Sequence, residues 1–183
     1  MIQIDANECT TQWQSPIDIN SPFVHEEFNI DFFFGKQDGA IMYTNGYNLK
    51  IDGDFGGFRW RNSYFSSTEI NFKHPSEHHI DGREYPLEMQ LHHVDQWGNQ
   101  AFVAAFFEIS SEGSFLNNIG FGNPLLREAD VGTLYRIKDT VDINELFEEP
   151  ETYFLYEGSS TSTPCHHNVT WIMLTDTYKI SES

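Results

Sequence analysis

The chain has 183 residues, of which 28 are acidic and 10 are basic, and its formal net charge is −18. Hydrophobic residues make up 39% of the chain and aromatic residues 15%, which is enough to bury the core of one domain and excludes a disordered protein. A surface with this negative charge repels nucleic-acid phosphates and anionic lipids. No apolar run approaches the roughly 20 residues that a membrane-spanning helix needs. We therefore predict neither nucleic-acid binding nor membrane insertion, whereas a cationic partner would suit this charge.

Strand patterns dominate the chain. Residues 28–32 and 47–51 alternate apolar and polar side chains, which is typical of half-buried strands. Residues 102–109 form an apolar run broken only by Glu108, and residues 169–174 form another. The two longer runs predict strands in the middle of a sheet.

Turns and weak helical patterns lie between these strands. Paired Asp-Gly or Gly-Gly residues predict turns at 52–53, 56–57 and 81–82. Helical periodicity is confined to residues 124–138, with a further short turn expected at 144–149. The apolar stripe of that predicted helix consists of Leu125, Leu126, Ala129 and Leu134. Because no repeat or linker interrupts the pattern, we predict one mainly β domain over residues 1–183.

The two cysteines, Cys9 and Cys165, lie near opposite ends of the chain. From the residues alone they are either a disulfide or two buried thiols. Residues 1–5 carry neither a basic segment nor an apolar one, so no signal peptide is visible in this numbering.

Most of the polar residues that are candidates for catalysis or metal binding lie in two segments. Residues 70–78 read Ile-Asn-Phe-Lys-His-Pro-Ser-Glu-His, and residues 85–93 read Tyr-Pro-Leu-Glu-Met-Gln-Leu-His-His. Side chains two residues apart on a strand share one face. Asn71 and Lys73 therefore share a face on the first strand, and Gln90 shares a face with Glu88 and His92 on the second.

These two segments resemble the metal-binding core of α-type carbonic anhydrases, which reads roughly F-H-F-H-x-P-S-E-H and Y-P-x-E-x-H-x-V-H. In that family, two histidines of the first segment and one of the second hold a catalytic zinc ion. Aligned on residues 75–78 and on Glu88, the three ligand positions of this chain are Asn71, Lys73 and Gln90. Carboxamide oxygens are poor zinc ligands and an ammonium repels the ion, so we expect no zinc cofactor and a catalytically inactive homologue.

The resemblance extends over nearly the whole chain and implies its architecture. Further matching motifs follow in order at residues 14–19, 45–46, 156–165 and 169–171. The implied fold is a large twisted, mostly antiparallel sheet with short peripheral helices and a conical cavity. Both ends look shorter than is usual in the family, so we expect a protein partner or a missing segment to cover an open sheet edge.

The resemblance also assigns roles to residues around the lost ligands. Glu77 and Thr161 match a pair in which a carboxylate orients a threonine hydroxyl beside the zinc-bound water. Glu88 matches an acid that orients a histidine ligand, and Tyr47 falls in a segment where many members carry a proton-shuttling histidine. A phenol ordinarily has a pKa of about 10 and is therefore a poor proton shuttle at neutral pH. We expect these four residues to serve only packing or hydrogen bonding.

Lys73 is the replacement with the largest physical consequence, because an unpaired buried ammonium is costly. We expect its ammonium near the vacated metal position, bonded to the amide oxygens of Asn71 and Gln90 or to the carboxylate of Glu77 or Glu88. Alternatively, Lys73 extends out of the cavity into solvent. In a further alternative, the cavity is a binding site for a small anion beside Lys73.

A competing hypothesis keeps the enzyme active through a displaced zinc site. His74 and His92 would supply ligands if the first strand slipped by one residue. Such a slip would turn Phe72 and its neighbours to the wrong face of the sheet. His78 and His93 match buried structural histidines of the family and are not ligand candidates.

The sequence contexts of Cys9 and Cys165 resemble those of the disulfide in secreted carbonic anhydrases. This resemblance implies an oxidising compartment, either extracellular or within an organelle lumen or intermembrane space. Residues 168–170, Asn-Val-Thr, form a glycosylation sequon that abuts the strand containing Trp171, and we expect it to be too buried for use. The sequence as a whole predicts a pseudoenzyme that serves as a structural or binding subunit of a larger assembly, or as an extracellular recognition domain.

Overall fold

The structure, a computed structural model, describes residues 13–20, 30–111, 115–119, 130–147 and 152–181. Strands dominate the regular structure of the described residues, which also contain one short α-helix and one 3₁₀ helix. The strands are β1 (Asp18–Ile19), β2 (Asp31–Phe34), β3 (Lys36–Gln37), β4 (Ile41–Thr44), β5 (Leu49–Asp52), β6 (Gly56–Trp60), β7 (Ser63–Lys73), β8 (His79–Ile80), β9 (Leu87–Asp95), β10 (Gln100–Ser110), β11 (Leu134–Arg136), β12 (Val141–Asp142), β13 (Tyr153–Ser159) and β14 (His167–Ser181). The helices are α1 (Phe115–Asn118) and the 3₁₀ helix Ile143–Glu145.

Ten of the described strands form one sheet. Its main path runs β11-β4-β5-β7-β9-β10-β14-β13, while β6 pairs with β7 and β2 pairs with β6. Every pair in it is antiparallel except the parallel pair of β10 and β14. Two small sheets, β1-β8 and β3-β12, lie beside it. The expected large, mostly antiparallel sheet with short helices is thereby confirmed.

The predicted central strands are both present. Residues 102–109 lie within β10, which is flanked by β9 and β14, and residues 169–174 lie within β14, which is flanked by β10 and β13. The outer strands of the main path, among those described, are therefore β11 and β13. The predicted strands at 28–32 and 47–51 correspond to β2 and β5, which begin two or more residues later; residues 28 and 29 lie outside the described chain.

The helix predicted over residues 124–138 is wrong where the structure describes that segment. Leu134 begins strand β11, which pairs with β4 in the register Tyr135 to Met42. Leu134 itself is exposed, because an edge strand has one face toward solvent, and a weak helical period cannot reveal this tertiary pairing. Leu125, Leu126 and Ala129 lie outside the described residues. The short turn predicted at 144–149 corresponds to the 3₁₀ helix, although residues 148 and 149 are not described.

One of the three predicted turns is also wrong. A turn forms at 81–82, and Gly53 bends the chain after β5, but Gly56 and Gly57 begin strand β6. A Cβ atom at Gly56 would overlap the carbonyl oxygen of Phe33, and one at Gly57 would overlap that of Phe65. These glycines therefore allow close contact between neighbouring strands rather than ending one.

Buried apolar side chains form two clusters. The larger one includes Phe58, Ile70 and Leu91. The smaller one contains Phe102 and Trp171, whose rings stack at 4.5 Å between centroids. Two of its members, Ala104 and Phe106, pair across the sheet with Gln90 and Glu88 and so help to position these polar residues. Within the described part of the chain, no helix is long and apolar enough to cross a membrane.

Candidate functional site

Strands β7 and β9 bring together the three positions that the resemblance aligns with zinc ligands, as the sequence predicted. The strands pair in the register Asn71 to Gln90 and Lys73 to Glu88. Asn71, Lys73 and Gln90 are all buried. This convergence follows from the two-residue period of each strand and from their antiparallel pairing.

The Lys73 ammonium is held inside the protein by three oxygen atoms. Its Nζ lies 2.8 Å from Oε1 of Glu77 and 3.5 Å from Oγ1 of Thr161. The Asn48 amide, oriented so that its nitrogen donates to the carbonyl oxygen of Tyr47, places its oxygen 3.2 Å from Nζ. An ammonium has three N–H donors, so this set satisfies it completely.

The predicted surroundings of Lys73 are correct in part. Only 5% of its side chain is exposed, so the alternative in which it reaches solvent is wrong. Glu77 is an acceptor, as expected, whereas the amide oxygens of Asn71 and Gln90 are not. Sequence reasoning missed Asn48, which precedes the β5 residue paired with Phe72. The register between β5 and β7 would have identified it, but no local pattern encodes that register.

The two carboxamides point their nitrogen atoms at carboxylates. Nδ2 of Asn71 donates to Oε1 of Glu69 at 2.9 Å. Nε2 of Gln90 donates to Oε1 of Glu88 at 2.8 Å and to Oε2 of Glu77 at 3.1 Å. The ligand positions thus present amide donors and an ammonium, a set that does not fit a zinc ion, which requires electron-pair donors.

Glu88 is fully buried and accepts four hydrogen bonds. The backbone N–H groups of Glu77 and His78 both donate to Oε2 at 2.9 Å. On the other oxygen, Nδ1 of His78 lies at 2.7 Å, beside the amide of Gln90. Burial raises the pKa of the Glu88 carboxyl, but the hydrogen bonds and charge of His78, with further help from Gln90, hold it below its ordinary value. Glu88 therefore remains a carboxylate.

A buried hydrogen-bond chain extends from Glu88 toward the first residues of the described chain. Nε2 of His78 lies 2.7 Å from the Tyr156 hydroxyl, which lies 2.8 Å from Oγ of Ser15. Burial raises the pKa of Tyr156, so its hydroxyl keeps its proton. The chain joins β9, β13 and the segment before β1, a structural role consistent with the expected buried position of His78.

Tyr47 lies outside this cluster. Its side chain is 94% exposed. Its backbone N–H donates to Oδ1 of Asn45 in the turn between β4 and β5. The expectation that its side chain packs or forms hydrogen bonds in the site is wrong, because the turn directs it to solvent.

The structure does not bring His74 and His92 together. His74 is exposed and lies 2.6 Å, through Nδ1, from the carbonyl oxygen of Pro86. His92 pairs across the sheet with Glu69. His74 lies five positions after Glu69, just past the end of β7, which is about 16 Å at roughly 3.3 Å per residue. A single metal ion cannot bind both imidazoles at that separation, and the described residues contain no group of three or more His, Cys, Asp or Glu side chains that could hold one.

His92 and His93 have different environments. Nδ1 of His92 lies 2.8 Å from the Thr68 hydroxyl, and its ring packs against Phe102. His93 is fully buried and donates from Nδ1 to the Leu91 carbonyl oxygen at 2.9 Å, while its Nε2 has no hydrogen-bond partner among the described residues. Burial lowers the pKa of His93 to about 3, so it is neutral at physiological pH.

Only one cysteine of the predicted disulfide, Cys165, lies within the described residues. Cys165 is buried and is not a free cysteine. Cys9 lies outside the described residues, so the bond between Cys9 and Cys165 stays a prediction.

A family model described as eukaryotic-type carbonic anhydrase matches residues 3–183. The carbonic anhydrase of Klebsiella pneumoniae is 30% identical over 174 residues, which cover 88% of this chain and 65% of that protein. A carbonic anhydrase of Nostoc sp. is 27% identical over 167 residues, covering 88% of this chain and 62% of that protein. The chain therefore spans a little under two thirds of the length of these relatives.

Solved structures agree with the sequence comparison. The α-carbonic anhydrase of Thermovibrio ammonificans, in complex with the inhibitor sulfanilamide, superposes with a TM-score of 0.82 at 27% identity over 98% of this chain and 76% of that one. A dioscorin complexed with ascorbate shares the fold, with a TM-score of 0.83 at 23% identity over 93% of this chain and 72% of that one. Because the family model matches nearly every residue and the strands follow the same architecture, the chain belongs to the eukaryotic-type carbonic anhydrase family.

Proposed function

We propose that this protein is a carbonic anhydrase homologue without hydratase activity, and that it acts as a structural or binding domain. One observation carries the proposal: the Lys73 ammonium is buried at a position that the resemblance aligns with a zinc ligand of the family. Its three donors are satisfied by Glu77, Thr161 and Asn48. A positive charge fixed there opposes a divalent cation.

The chemistry of the reaction supports this conclusion. Hydration of carbon dioxide at neutral pH needs a hydroxide nucleophile, and zinc supplies one by lowering the pKa of bound water to about 7. The ion requires electron-pair donors, whereas Asn71 and Gln90 direct N–H groups at neighbouring carboxylates. Glu77, which the resemblance assigns to orienting Thr161, instead accepts hydrogen bonds from Lys73 and Gln90.

The anion-binding alternative is less well supported. An anion beside Lys73 would need at least one free N–H donor, and the three acceptors around Nζ account for all of them. Binding would also require displacing the Glu77 carboxylate, which lies 2.8 Å from the ammonium. Lys73 therefore fits an internal ion pair better than an anion-binding site.

The binding role follows from the surface rather than from the buried site. A net charge of −18 favours a basic partner. Strand β13 offers a place for such a partner, since it pairs with β14 on one side and is an outer strand of the main path among the described strands. The proposed location remains an oxidising compartment, as the contexts of Cys9 and Cys165 imply.

Metal analysis of the protein isolated from its source, combined with a carbon dioxide hydration assay, tests the proposal. We expect less than stoichiometric zinc and a hydration rate equal to that of buffer. Stoichiometric zinc together with hydration activity inhibited by a sulfonamide would overturn the proposal.

A gain-of-metal variant provides the matched experiment. The triple substitution Asn71→His, Lys73→His and Gln90→His should create a zinc site, because Glu88 is already placed to accept a hydrogen bond from residue 90. The control, Asn71→Leu, Lys73→Met and Gln90→Leu, removes the same polar groups without adding imidazole. If the histidine variant bound no more zinc than this control, the assignment of the three positions would be wrong.

A further inference from the structure

The only Asn-x-Ser/Thr triplet of the chain, Asn168-Val169-Thr170, begins at a β-bulge. Val169 pairs with Gly158 and His167 pairs with Ser159, so Asn168 is an extra residue without a partner on β13. On the other side of β14, pairing with β10 begins at Thr170. Asn168 also has a φ of 60°, a left-handed conformation that asparagine adopts more readily than most residues.

The bulge turns Asn168 outward and corrects the expectation from the sequence. Asn168 is exposed, whereas Val169 and Thr170 are buried. Its side-chain amide makes no hydrogen bond to another residue within the described ranges. Of the three sequon residues, Asn168 is therefore presented at the surface, and its side-chain nitrogen is not hydrogen-bonded within the described part of the chain.

A groove of about 440 Å³ lies beside this asparagine. One wall is the segment before β1, anchored where the Ser15 N–H donates to Oγ of Ser159 at 3.0 Å. Gly158 allows this close approach, since a Cβ atom there would overlap Oγ of Ser15. The anchored segment places Trp13, which is 73% exposed, in the lining of the same groove. The remaining lining residues are Gln14, Ile17, Tyr156 and Glu157.

We infer that Asn168 is an N-glycosylation site and that the groove seats the first N-acetylglucosamine of the glycan against the indole of Trp13. Glycans on Asn-x-Ser/Thr sequons occupy protein surfaces, where Asn168 lies. An exposed indole offers a large flat apolar face, against which the apolar face of a pyranose ring packs. The polar rim supplied by Gln14 and Glu157 suits the hydroxyl and acetamido groups of the sugar.

The transfer step uses a lipid-diphosphate-linked oligosaccharide and an oligosaccharyltransferase. Nδ2 of Asn168 attacks the anomeric carbon of the first sugar. The new C–N bond forms as the C–O bond to the diphosphate breaks, the lipid diphosphate leaves with the electron pair, and a base of the transferase takes one amide proton. No oxidant or reductant takes part.

The burial of Thr170 fixes when the transfer occurs. The transferase must bind the Thr170 hydroxyl of the sequon. In the folded protein Thr170 is buried and pairs with β10, so the transferase cannot reach that hydroxyl. The glycan is therefore added before β14 joins the sheet, as the chain enters the oxidising compartment proposed above. Afterwards, the outward direction of Asn168 lets the fold form around the modified residue.

Mass spectrometry of the protein isolated from its source tests the inference. Peptide N-glycosidase F should remove a glycan mass and convert Asn168 to aspartate in the tryptic peptide. In a eukaryotic secretory host, Asn168→Gln should lose the glycan. Thr170→Val should also lose it while keeping Asn168 and the buried volume, and Thr170→Ser should keep it. An unmodified Asn168 peptide from the native source would overturn the inference.

A second measurement tests whether the first N-acetylglucosamine packs against Trp13. Hydroxyl-radical oxidation of Trp13 should be slower in the glycosylated protein than in the Thr170→Val variant. Trp97, which is also exposed and lies outside the groove lining, serves as the internal control and should not change. Equal oxidation of Trp13 in both forms would overturn the placement of the sugar against the indole.

Discussion

Two neighbouring carboxylates in this protein, Glu77 and Glu88, are stabilised in different ways. Glu88 is fully buried, and two of its four hydrogen bonds come from backbone N–H groups. Glu77 keeps 28% of its side chain exposed and is bound by two side chains, those of Lys73 and Gln90. Glu88, which resembles a structural acid of the family, is thus held in part by the backbone, whereas Glu77 depends on the side chains of Lys73 and Gln90.

This difference shows which of the two carboxylates depends on the side chains at positions 73 and 90. Backbone donors remain whatever side chains occupy β7 and β9, so two of the four hydrogen bonds to Glu88 do not depend on those side chains. The buried side chains at positions 73 and 90 require only that each polar group find a partner. Lys73 and Gln90 meet that requirement through Glu77 and Glu88.

The largest expected effect is loss of the Glu88 charge. Glu88→Gln should lower the free energy of unfolding by about 3 kcal/mol or more, because an amide nitrogen would face two buried N–H donors. Urea unfolding at pH 7 measures this change. The control is Glu108→Gln, which removes an exposed pair with Arg83 and should cost less than about 1 kcal/mol. Equal losses in the two variants would contradict the special position of Glu88.

The same variant has a defined pH dependence. The pKa of Glu88 lies below its ordinary value of 4.5 in the folded protein, so its stabilisation is present above that pH and is lost as the pH falls toward the folded pKa. The difference in stability between wild type and Glu88→Gln should therefore narrow below pH 4.5. A difference that stayed constant down to acid unfolding would show that the charge is not responsible.

Much of the fold could be predicted from the sequence because its strongest signals are local. The long apolar runs identified β10 and β14, and strand parity placed Asn71, Lys73 and Gln90 on converging faces. The weak period at 124–138 failed because β11 is specified by its pairing with β4, a tertiary contact. The turn predicted at Gly56 and Gly57 was wrong for the same reason, because these glycines allow neighbouring strands of the sheet to approach closely, which is also a tertiary contact.

The sequence predicted most of the residues that meet in the site, but it did not predict the hydrogen bonds between them. The sequence indicated a buried ammonium near Glu77, yet it could not supply Asn48, which comes from a turn brought close by the register of β5 and β7. Nor could it show that Asn168 is exposed, because that follows from one extra residue in the β13-β14 ladder. Both omissions concern register, which depends on the partner strand as well as on the strand itself.

His93 is a buried titratable group whose pKa is lowered mainly by burial, whereas the pKa of Glu88 is lowered by hydrogen bonds. Its folded pKa is about 3, against 6.5 in the unfolded chain, so the unfolded state binds more protons and stability falls as the pH drops below 6.5. Between pH 7 and pH 5 this linkage amounts to about 2 kcal/mol. His93→Phe should remove that part of the pH dependence, as urea unfolding at the two pH values will show. An unchanged difference between the two pH values would mean that His93 does not titrate on unfolding.

The smallest expected effect concerns the ion pair of Lys73 and Glu77. A double-mutant cycle with Lys73→Met and Glu77→Gln should give a coupling energy of about 1 kcal/mol, because the exposed fraction of Glu77 lets water replace part of the lost interaction. Lys50 and Glu69 offer a matched pair at 2.9 Å whose side chains are 20% and 24% exposed. Their cycle should give a smaller coupling, since both partners there retain solvent, whereas Lys73 is only 5% exposed. A coupling for Lys73 and Glu77 no larger than that of the matched pair would show that the buried ammonium depends on Asn48 and Thr161 as much as on the carboxylate.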